Sequence, residues 1–310
     1  MVSIITINYN SLEVTCELLE SVRRFGGKDI EVVVVDNASV EDPGNFLKIH
    51  FPEVIYVRSE KNLGFAGGNN LGIKASKGDF LFFLNNDAEL TAGAIETLLA
   101  LFSTNSGIGI ASPKICYHNA RPGSEPDVIQ YLGTTHVHPL TARNSTFGER
   151  EIDNGQYQKA QPTAYAHGAA MMVPREVLNK AGMMSEDFFL YYEELDWCEQ
   201  IRRAGFDVWV EPNAKIYHKE SYSVGKISAL KTYYINRNRL FFMRRNRTKG
   251  QWRAFCVFLF MFTIPKNTLM FALKGDWVNL KAFLKAIRWN FTEQTIRPDS
   301  TPLTFSLRAT

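Results

Sequence analysis

Cysteine is sparse in this chain: Cys16, Cys116, Cys198 and Cys256 stand far apart, with no C-x-x-C and no other ligand spacing. A disulfide framework needs a much higher density, so four free thiols in a reducing compartment are expected. Excess charge of either sign is also missing. Thirty-five Lys and Arg face 32 Asp and Glu, and the net charge of +3 gives no overall nucleic-acid footprint. The first residues lack the basic start, apolar stretch and small-residue cleavage site of a leader. Val2-Ser3-Ile4-Ile5-Thr6-Ile7 reads directly as a strand, so no secretory signal is expected. Two glycine motifs for nucleotides are absent where they would count. Asn8-Tyr9-Asn10-Ser11, and neither G-x-G-x-x-G nor G-x-x-x-x-G-K-[ST], follows that strand.

What is present is an alternation of strand-like and helix-length segments over the first 110 residues. A β-branched run at 3–7 precedes a helical pattern over 12–25 that Gly26-Gly27 terminates. Val32-Val33-Val34-Val35 is apolar on both faces, which suits a parallel strand covered by helices on each side. Further strands are expected at 54–58 and 80–84, and helices at 66–76 and 92–102. This order predicts an α/β fold with a mostly parallel, Rossmann-like sheet flanked by helices. Residues 113–161 are irregular, and their His136-x-His138 lacks the companion ligands of a metal site. Order returns with a strand at 167–173, a helix at 175–181 and an aromatic, acidic stretch entering a helix that ends near Gly205. Two short strands, 208–210 and 214–217, lead to His218.

The ends of the strands carry the chemistry. Asn8-Tyr9-Asn10, Asp36-Asn37-Ala38-Ser39 and Asn85-Asn86-Asp87 follow three strands, and ligands bind outside the carboxyl ends of such sheets. Each segment alone also reads as turn and cap chemistry, but three at one edge describe a polar ligand site. Asp87 is the one carboxylate of its trio, placed to hold a hard divalent cation, Mg²⁺ or Mn²⁺, that bridges a diphosphate. Asn85 and Asn86 would place water or touch a donor sugar, and Asp36 would accept from a nucleobase or ribose. Glu193-Glu194-x-Asp196 sits among Phe188, Phe189, Tyr191, Tyr192 and Trp197. Partial desolvation there raises a carboxylate pKa toward that of a useful base, although acids also suit a helix N-terminus.

The last 85 residues change character. Arg237, Arg239, Arg244, Arg245, Arg247 and Lys249 interleave with Phe241 and Phe242. The apolar run at 254–264 breaks at Pro265-Lys266-Asn267 and resumes at 268–273, which argues against a spanning helix of about 20 apolar residues. Lys281, Lys285 and Arg288 beside Leu280, Phe283, Leu284 and Ile287 make a basic amphipathic helix over 277–289. Together these features predict a region lying on an anionic membrane, with a helical hairpin packed on the core as the plainer alternative.

Five ordered segments now resemble family 2 glycosyltransferases of the GT-A fold, in particular the rhamnosyltransferase-like branch. They are Thr6-Ile7-Asn8-Tyr9-Asn10, Val35-Asp36-Asn37-Ala38-Ser39, Asn62-Leu63-Gly64-Phe65-Ala66-Gly67-Gly68-Asn69, Leu84-Asn85-Asn86-Asp87, and Phe189 through Cys198. The resemblance covers about the first 240 residues. It implies a donor-binding half at 1–110, an acceptor and catalytic half at 111–225 and a C-terminal helical region at 226–310. Donor contacts are implied at Thr6, Asn8, Asn10, Asp36, Asn37, Asn62, Gly64, Gly67, Asn69, Asn85 and Asn86. Asp87 and His218 would meet the metal, and Glu194 would be the base, with Glu193 or Asp196 sharing the role. The resemblance implies inverting transfer from a nucleotide-diphosphate sugar, dTDP-rhamnose by its branch, and the membrane-seeking C-terminus suggests a lipid-linked saccharide acceptor, as in surface polysaccharide assembly. The enzyme would be cytoplasmic, peripheral on the inner face of the cell membrane, with residues 114–161 shaping the acceptor site. Two departures stand out: Asn85 where the family's metal motif starts with Asp, and Glu194 where it often has Asp. A nucleotidyltransferase would need a Gly-rich, Arg-containing loop after the first strand, which is missing. A non-catalytic sugar-nucleotide scaffold is opposed by the presence of Asp87 and Glu194.

Overall fold

The computed structural model describes residues 1–118, 126–219 and 228–292. Residues 226–227 and 293–310 of the expected C-terminal region, and 119–125 of the expected acceptor segment, lie outside the described residues.

The chain begins β1 (Val2–Asn8), α1 (Leu12–Phe25), β2 (Ile30–Asp36), α2 (Gly44–His50), β3 (Ile55–Arg58), α3 (Gly64–Ala75) and β4 (Phe80–Leu84). β3, β2, β1 and β4 are neighbours in that order and all parallel. The uninterrupted valines of β2 follow from this burial. Val32 and Val34 pack with Ile4, Leu18 and Leu19 on the α1 side, while Val33 and Val35 pack with Ile5, Ala66 and Ile73 on the α3 side.

The chain continues with β5 (Ala88–Leu90), α4 (Ala94–Thr104), β6 (Ile108–Tyr117), β7 (Ile129–Tyr131), β8 (Gln161–Pro162), β9 (Ala170–Pro174), α5 (Arg175–Ala181), α6 (Glu193–Arg203) and β10 (Asp207–His218). The sheet continues past β4 as β9, β6, β10 and β5, and here it is mixed. β9 is antiparallel to β4 and β6, and β5 is antiparallel to β10. The strand expected at 167–173 therefore starts at Ala170, leaving His167-Gly168 as a turn. The irregular pattern expected from Pro113 conceals the second half of β6. Pro113 pairs with Glu211, where the register of β10 shifts before Lys215. A bulge there tolerates a residue without an N–H, and the two short strands expected at 208–210 and 214–217 are one bent strand.

The C-terminal helices are α7 (Ala229–Asn246), α8 (Lys249–Phe258), α9 (Ile264–Leu273) and α10 (Trp277–Thr292). Thr248 and Gln251 form a capping box at the start of α8. The break expected at Pro265-Lys266-Asn267 is not found. A single π-helical turn at Leu259–Thr263 joins α8 to α9, giving one helix over Lys249–Leu273. The residue four before Pro265 is Met261, inside that wider turn, so the ring does not meet an ordinary i−4 carbonyl. By length and composition this 25-residue helix suffices to cross a membrane. Only Phe255 and Leu259 of it are buried. Thr232 bonds Asn279 at 2.6 Å and Arg244 bonds the Asn290 carbonyl at 2.9 Å, so α7 and α10 lie side by side in the same direction. The α8–α9 helix returns between their ends, with Phe255 and Leu259 buried against Leu240, Phe283 and Ile287.

Candidate active site

The loops after β1, β2 and β3 are tied into one polar frame. Asn8 Nδ2 donates to Asp36 Oδ1 (2.8 Å) and Ser39 Oγ (3.2 Å), while Asn8 Oδ1 accepts from Thr15 (2.9 Å). Asn37 Oδ1 accepts from the Leu63 N–H (2.8 Å), and its Nδ2 donates to Asn62 Oδ1 (3.1 Å) and the Gly64 carbonyl (3.0 Å). Asn10 Oδ1 accepts from the Val40 N–H, and Asn86 Nδ2 donates to Ser11 and Thr15. Asn85 donates its N–H to the Ala169 carbonyl. Gly67 leaves no room for a side chain, since an added Cβ would stand 2.7 Å from Leu63 Cβ.

Asp36 is fully buried, and both its oxygens are engaged. Besides Asn8, it accepts from the Ser39 N–H (3.1 Å) and the Arg58 guanidinium (2.6 Å). A nucleoside contact from Asp36 thus requires exchange of one partner, and the third-exposed Arg58 is the group that reaches open space. Two other residues expected at the donor are buried. Thr6 is fully buried on the same face of β1 as Ile4, and Asn69 is buried on α3, so both belong to the interior.

Asp87 and His218 meet because β5 pairs with β10, with Ala88 opposite His218. Asp87 Oδ1 lies 3.1 Å from His218 Nε2, and both side chains are buried. His218 Nδ1 lies 2.9 Å from Gln130 Oε1, which can only accept. In the neutral ring Nδ1 therefore carries the proton, and Nε2 aims a lone pair at a carboxylate oxygen that takes no hydrogen bond among the described residues. Two facing lone pairs with no proton between them fit a divalent cation. His167 flanks the pair, its ring centroid 6.0 Å from that of His218, and burial holds its pKa down at about 3.

The acid pair opens α6. Glu193 is buried, Glu194 is half-buried, and one oxygen of each is enclosed without a hydrogen-bond partner among the described residues. Burial pushes the Glu194 carboxyl up to about 7. Glu193 is pushed well above the usual carboxylate range, by burial first and by the charge of Glu194 second. The Glu194 carboxyl lies beside Gly168, with Cδ 3.9 Å from where a Cβ would stand. Gly168 is followed by Ala169, whose carbonyl holds Asn85, so Glu194 and the start of the Asn85-Asn86-Asp87 loop meet one short backbone segment.

Asp196 leaves this group. Its fully buried carboxylate accepts from Asn246 Nδ2 (2.6 Å) and meets Arg245 Nε at 3.1 Å, so it fastens α6 to α7. Cys116, Asp127 and Asp153 also come together. Lys215 pairs with Asp127 at 2.6 Å and Lys114 with Asp153 at 2.5 Å, so ammonium groups already neutralise these carboxylates.

The family's sequence profile, glycosyl transferase family 2, matches residues 3–182, which include the frame, Asp87 and β9. The chain belongs to glycosyl transferase family 2. Among its relatives, the low-salt glycan biosynthesis hexosyltransferase Agl10 of Haloferax volcanii is 28% identical over 215 residues, 66% of this chain and 63% of that protein. The N-acetylglucosaminyl-diphospho-decaprenol L-rhamnosyltransferase of Mycobacterium tuberculosis is 23% identical over 247 residues, 73% of this chain and 78% of that protein. The chain thus spans somewhat under two thirds of the first relative's length. The fold matches the mannosyltransferase PcManGT from Pyrobaculum calidifontis, solved with GDP-Man and Mn²⁺. The TM-score is 0.57 at 14% identity, over 94% of this chain and 87% of that one. The architecture of this family 2 member is therefore GT-A.

Three residues of the site gave no signal in the sequence. Arg58 is the last residue of a short strand and faces Asp36 only through the pairing of β2 with β3. Gln130 lies in the stretch without readable pattern. Asn238 is one polar residue in a basic helix, and its partners are backbone carbonyls.

Proposed function

We propose that this protein is an inverting glycosyltransferase that moves a sugar from a nucleotide-diphosphate donor to an acceptor hydroxyl. The observation that carries this reading is the enclosed Glu194, which shares the Gly168-Ala169 backbone with the loop that leads to the Asp87–His218 pair inside a family 2 frame. Glu194 takes the proton of the acceptor hydroxyl as its oxygen bonds to the anomeric carbon. The bond from that carbon to the diphosphate breaks, and the electron pair departs with the leaving group. A divalent cation held by Asp87 and His218 would neutralise the leaving diphosphate. A histidine nitrogen in the ligand set favours Mn²⁺ over Mg²⁺, which prefers oxygen and water. The Asn8–Asp36–Arg58 and Asn37–Asn62 links hold the donor loops in place, and residues 1–110 form the donor half, 111–225 the acceptor half.

The donor we propose is dTDP-rhamnose and the acceptor a lipid-linked saccharide in surface polysaccharide assembly; the mycobacterial relative, a rhamnosyltransferase named for a diphospho-decaprenol-linked sugar, supports the rhamnosyl group and the lipid link. The C-terminal helices support an anionic membrane as partner, on the cytoplasmic face. Val257, Phe260, Met261, Phe262, Leu269 and Leu273 are exposed on the outer side of the α8–α9 helix. Residues 249–292 hold seven Lys and Arg against one acid, Asp276. Both ends of that helix join helices that pack on each other beside the α/β body, so the helix lies in the membrane plane with its basic surroundings at the headgroups.

Calorimetric titration of dTDP, UDP and GDP, each with and without Mn²⁺, tests the donor site. Mn²⁺-dependent binding of dTDP ahead of the others is expected. Absence of binding to all three by the folded protein would overturn the reading.

A further inference from the structure

Just before the acid pair, the backbone takes a conformation that bulky L-residues adopt only under constraint. Phe189, Tyr191 and Tyr192 have φ of +63°, +70° and +76°. On one side the turn is fixed by the donor half. The Phe189 carbonyl accepts from the Phe65 N–H at 2.7 Å, and Gly64 passes so close that an added Cβ would stand 2.1 Å from that oxygen. On the other side it is held by α7, where Tyr234 stacks on the Phe189 ring and one side chain reaches three backbone carbonyls. Asn238 is wholly buried, and its Nδ2 lies 2.8 Å from the Phe188 carbonyl, 2.7 Å from that of Leu190 and 2.8 Å from that of Tyr191.

We propose that Asn238 is the positioning residue of the catalytic base: by gathering three carbonyls of the left-handed turn, it sets the direction in which Glu193 and Glu194 leave α6. Two physical effects act together. The amide donates toward the Leu190 and Tyr191 carbonyls and shares that of Phe188 with the Leu190 N–H. It also places the positive end of its dipole where three carbonyl dipoles converge beside two carboxylates, which lowers the local negative potential. Arg239 adds a contact of the same sense, donating from Nε to the Tyr192 hydroxyl at 3.1 Å. Asn246, eight residues along the same helix, reaches Asp196 farther down α6 and supplies a natural comparison. It anchors the helix without touching the turn. The C-terminal region is on this account part of the reaction centre as well as a surface for lipid.

The inference rests on the proposed role of the acid pair, and the test keeps the two separable. Turnover and donor affinity are measured with Mn²⁺ for the full chain and for Asn238→Ala, Asn238→Ser and Asn246→Ala. Misplacing a reacting group by about an ångström costs on the order of a hundredfold in rate. Asn238→Ala is therefore expected to lower kcat by about that factor with donor affinity within about twofold of wild type. Asn238→Ser, which keeps one donor, recovers part of the rate, and Asn246→Ala keeps kcat within about threefold, as expected for a residue remote from the turn. An unchanged kcat in Asn238→Ala overturns the proposal. So does a joint fall of kcat and donor affinity in both helix variants, which marks a general loosening. If Asn238→Ala does not fold, the serine variant decides by the same split. A Glu194→Gln enzyme as active as wild type removes the base reading itself. Loss of activity in Glu194→Gln with full activity in Asn238→Ala removes only the role of Asn238.

Discussion

The Asp87 carboxylate and the His218 imidazole lie 3.1 Å apart although they are distant in the chain, because a three-residue strand is laid antiparallel on the end of β10. Gln130, on a neighbouring strand, accepts from the far side of the ring and leaves the inner nitrogen free to bind a cation. This arrangement gives the first prediction. Gln130→Leu keeps both ligands but releases the imidazole, and Mn²⁺ affinity measured by titration in the presence of dTDP should fall about tenfold or more. Unchanged affinity would mean that another group orients His218.

Burial raises the Glu194 pKa from 4.5 to about 7, and the base works in its ionised form. Turnover should therefore rise with pH through about 7. Glu194→Gln should lower kcat by about a hundredfold and leave donor binding intact. If Glu193→Gln does so instead, the neighbouring carboxylate is the base.

The same shift affects stability. The folded protein holds a proton on Glu194 that the unfolded chain releases above 4.5, so stability declines as pH rises from 4.5 to about 7. Glu194→Gln removes this loss. Calorimetry should show the variant melting higher than wild type at pH 8, with the difference gone at pH 4. A variant that melts lower at both pH values would contradict the assignment.

Asp196→Ala separates anchoring from chemistry. It strands Asn246 and Arg245, the latter partly solvated, and should cost about 2 kcal/mol in denaturant unfolding. Turnover per folded molecule should stay within about threefold, as expected for a group outside the reaction centre. A loss comparable to that of Glu194→Gln would return Asp196 to the base.

Phe260→Glu with Met261→Glu introduces charge on the exposed face of the α8–α9 helix. The variant should no longer sediment with anionic vesicles, and the wild type should be released from them by alkaline carbonate. Resistance of the wild type to that wash would show a spanning helix and contradict the in-plane arrangement.

Much of this was legible because the first four strands and their helices are a pattern of local signals. Apolar runs such as 80–84 mark the sheet, Gly26 ends α1, and Asn and Asp mark the loops where the chain leaves it. Long-range pairing was not legible. Pro113 looked like the end of order because the bulge that accommodates it lies in β10, in a distant part of the sequence. Pro265 looked like a helix break because a π turn is not visible in composition. Thr6, Asn69 and Asp196 have the residue types of a site but face the interior, and face is decided by packing. Asn238 was invisible for a similar reason: its partners are carbonyls, which any residue has.

The most direct test of the account is transfer itself. The full chain is mixed with dTDP-rhamnose, a polyprenyl-diphosphate N-acetylglucosamine acceptor and Mn²⁺, beside its Glu194→Gln and Asp87→Ala variants, and glycosylated lipid is quantified. The account predicts product with the wild type only, at a rate that falls when Mn²⁺ is removed. Product formed equally by all three proteins would contradict it.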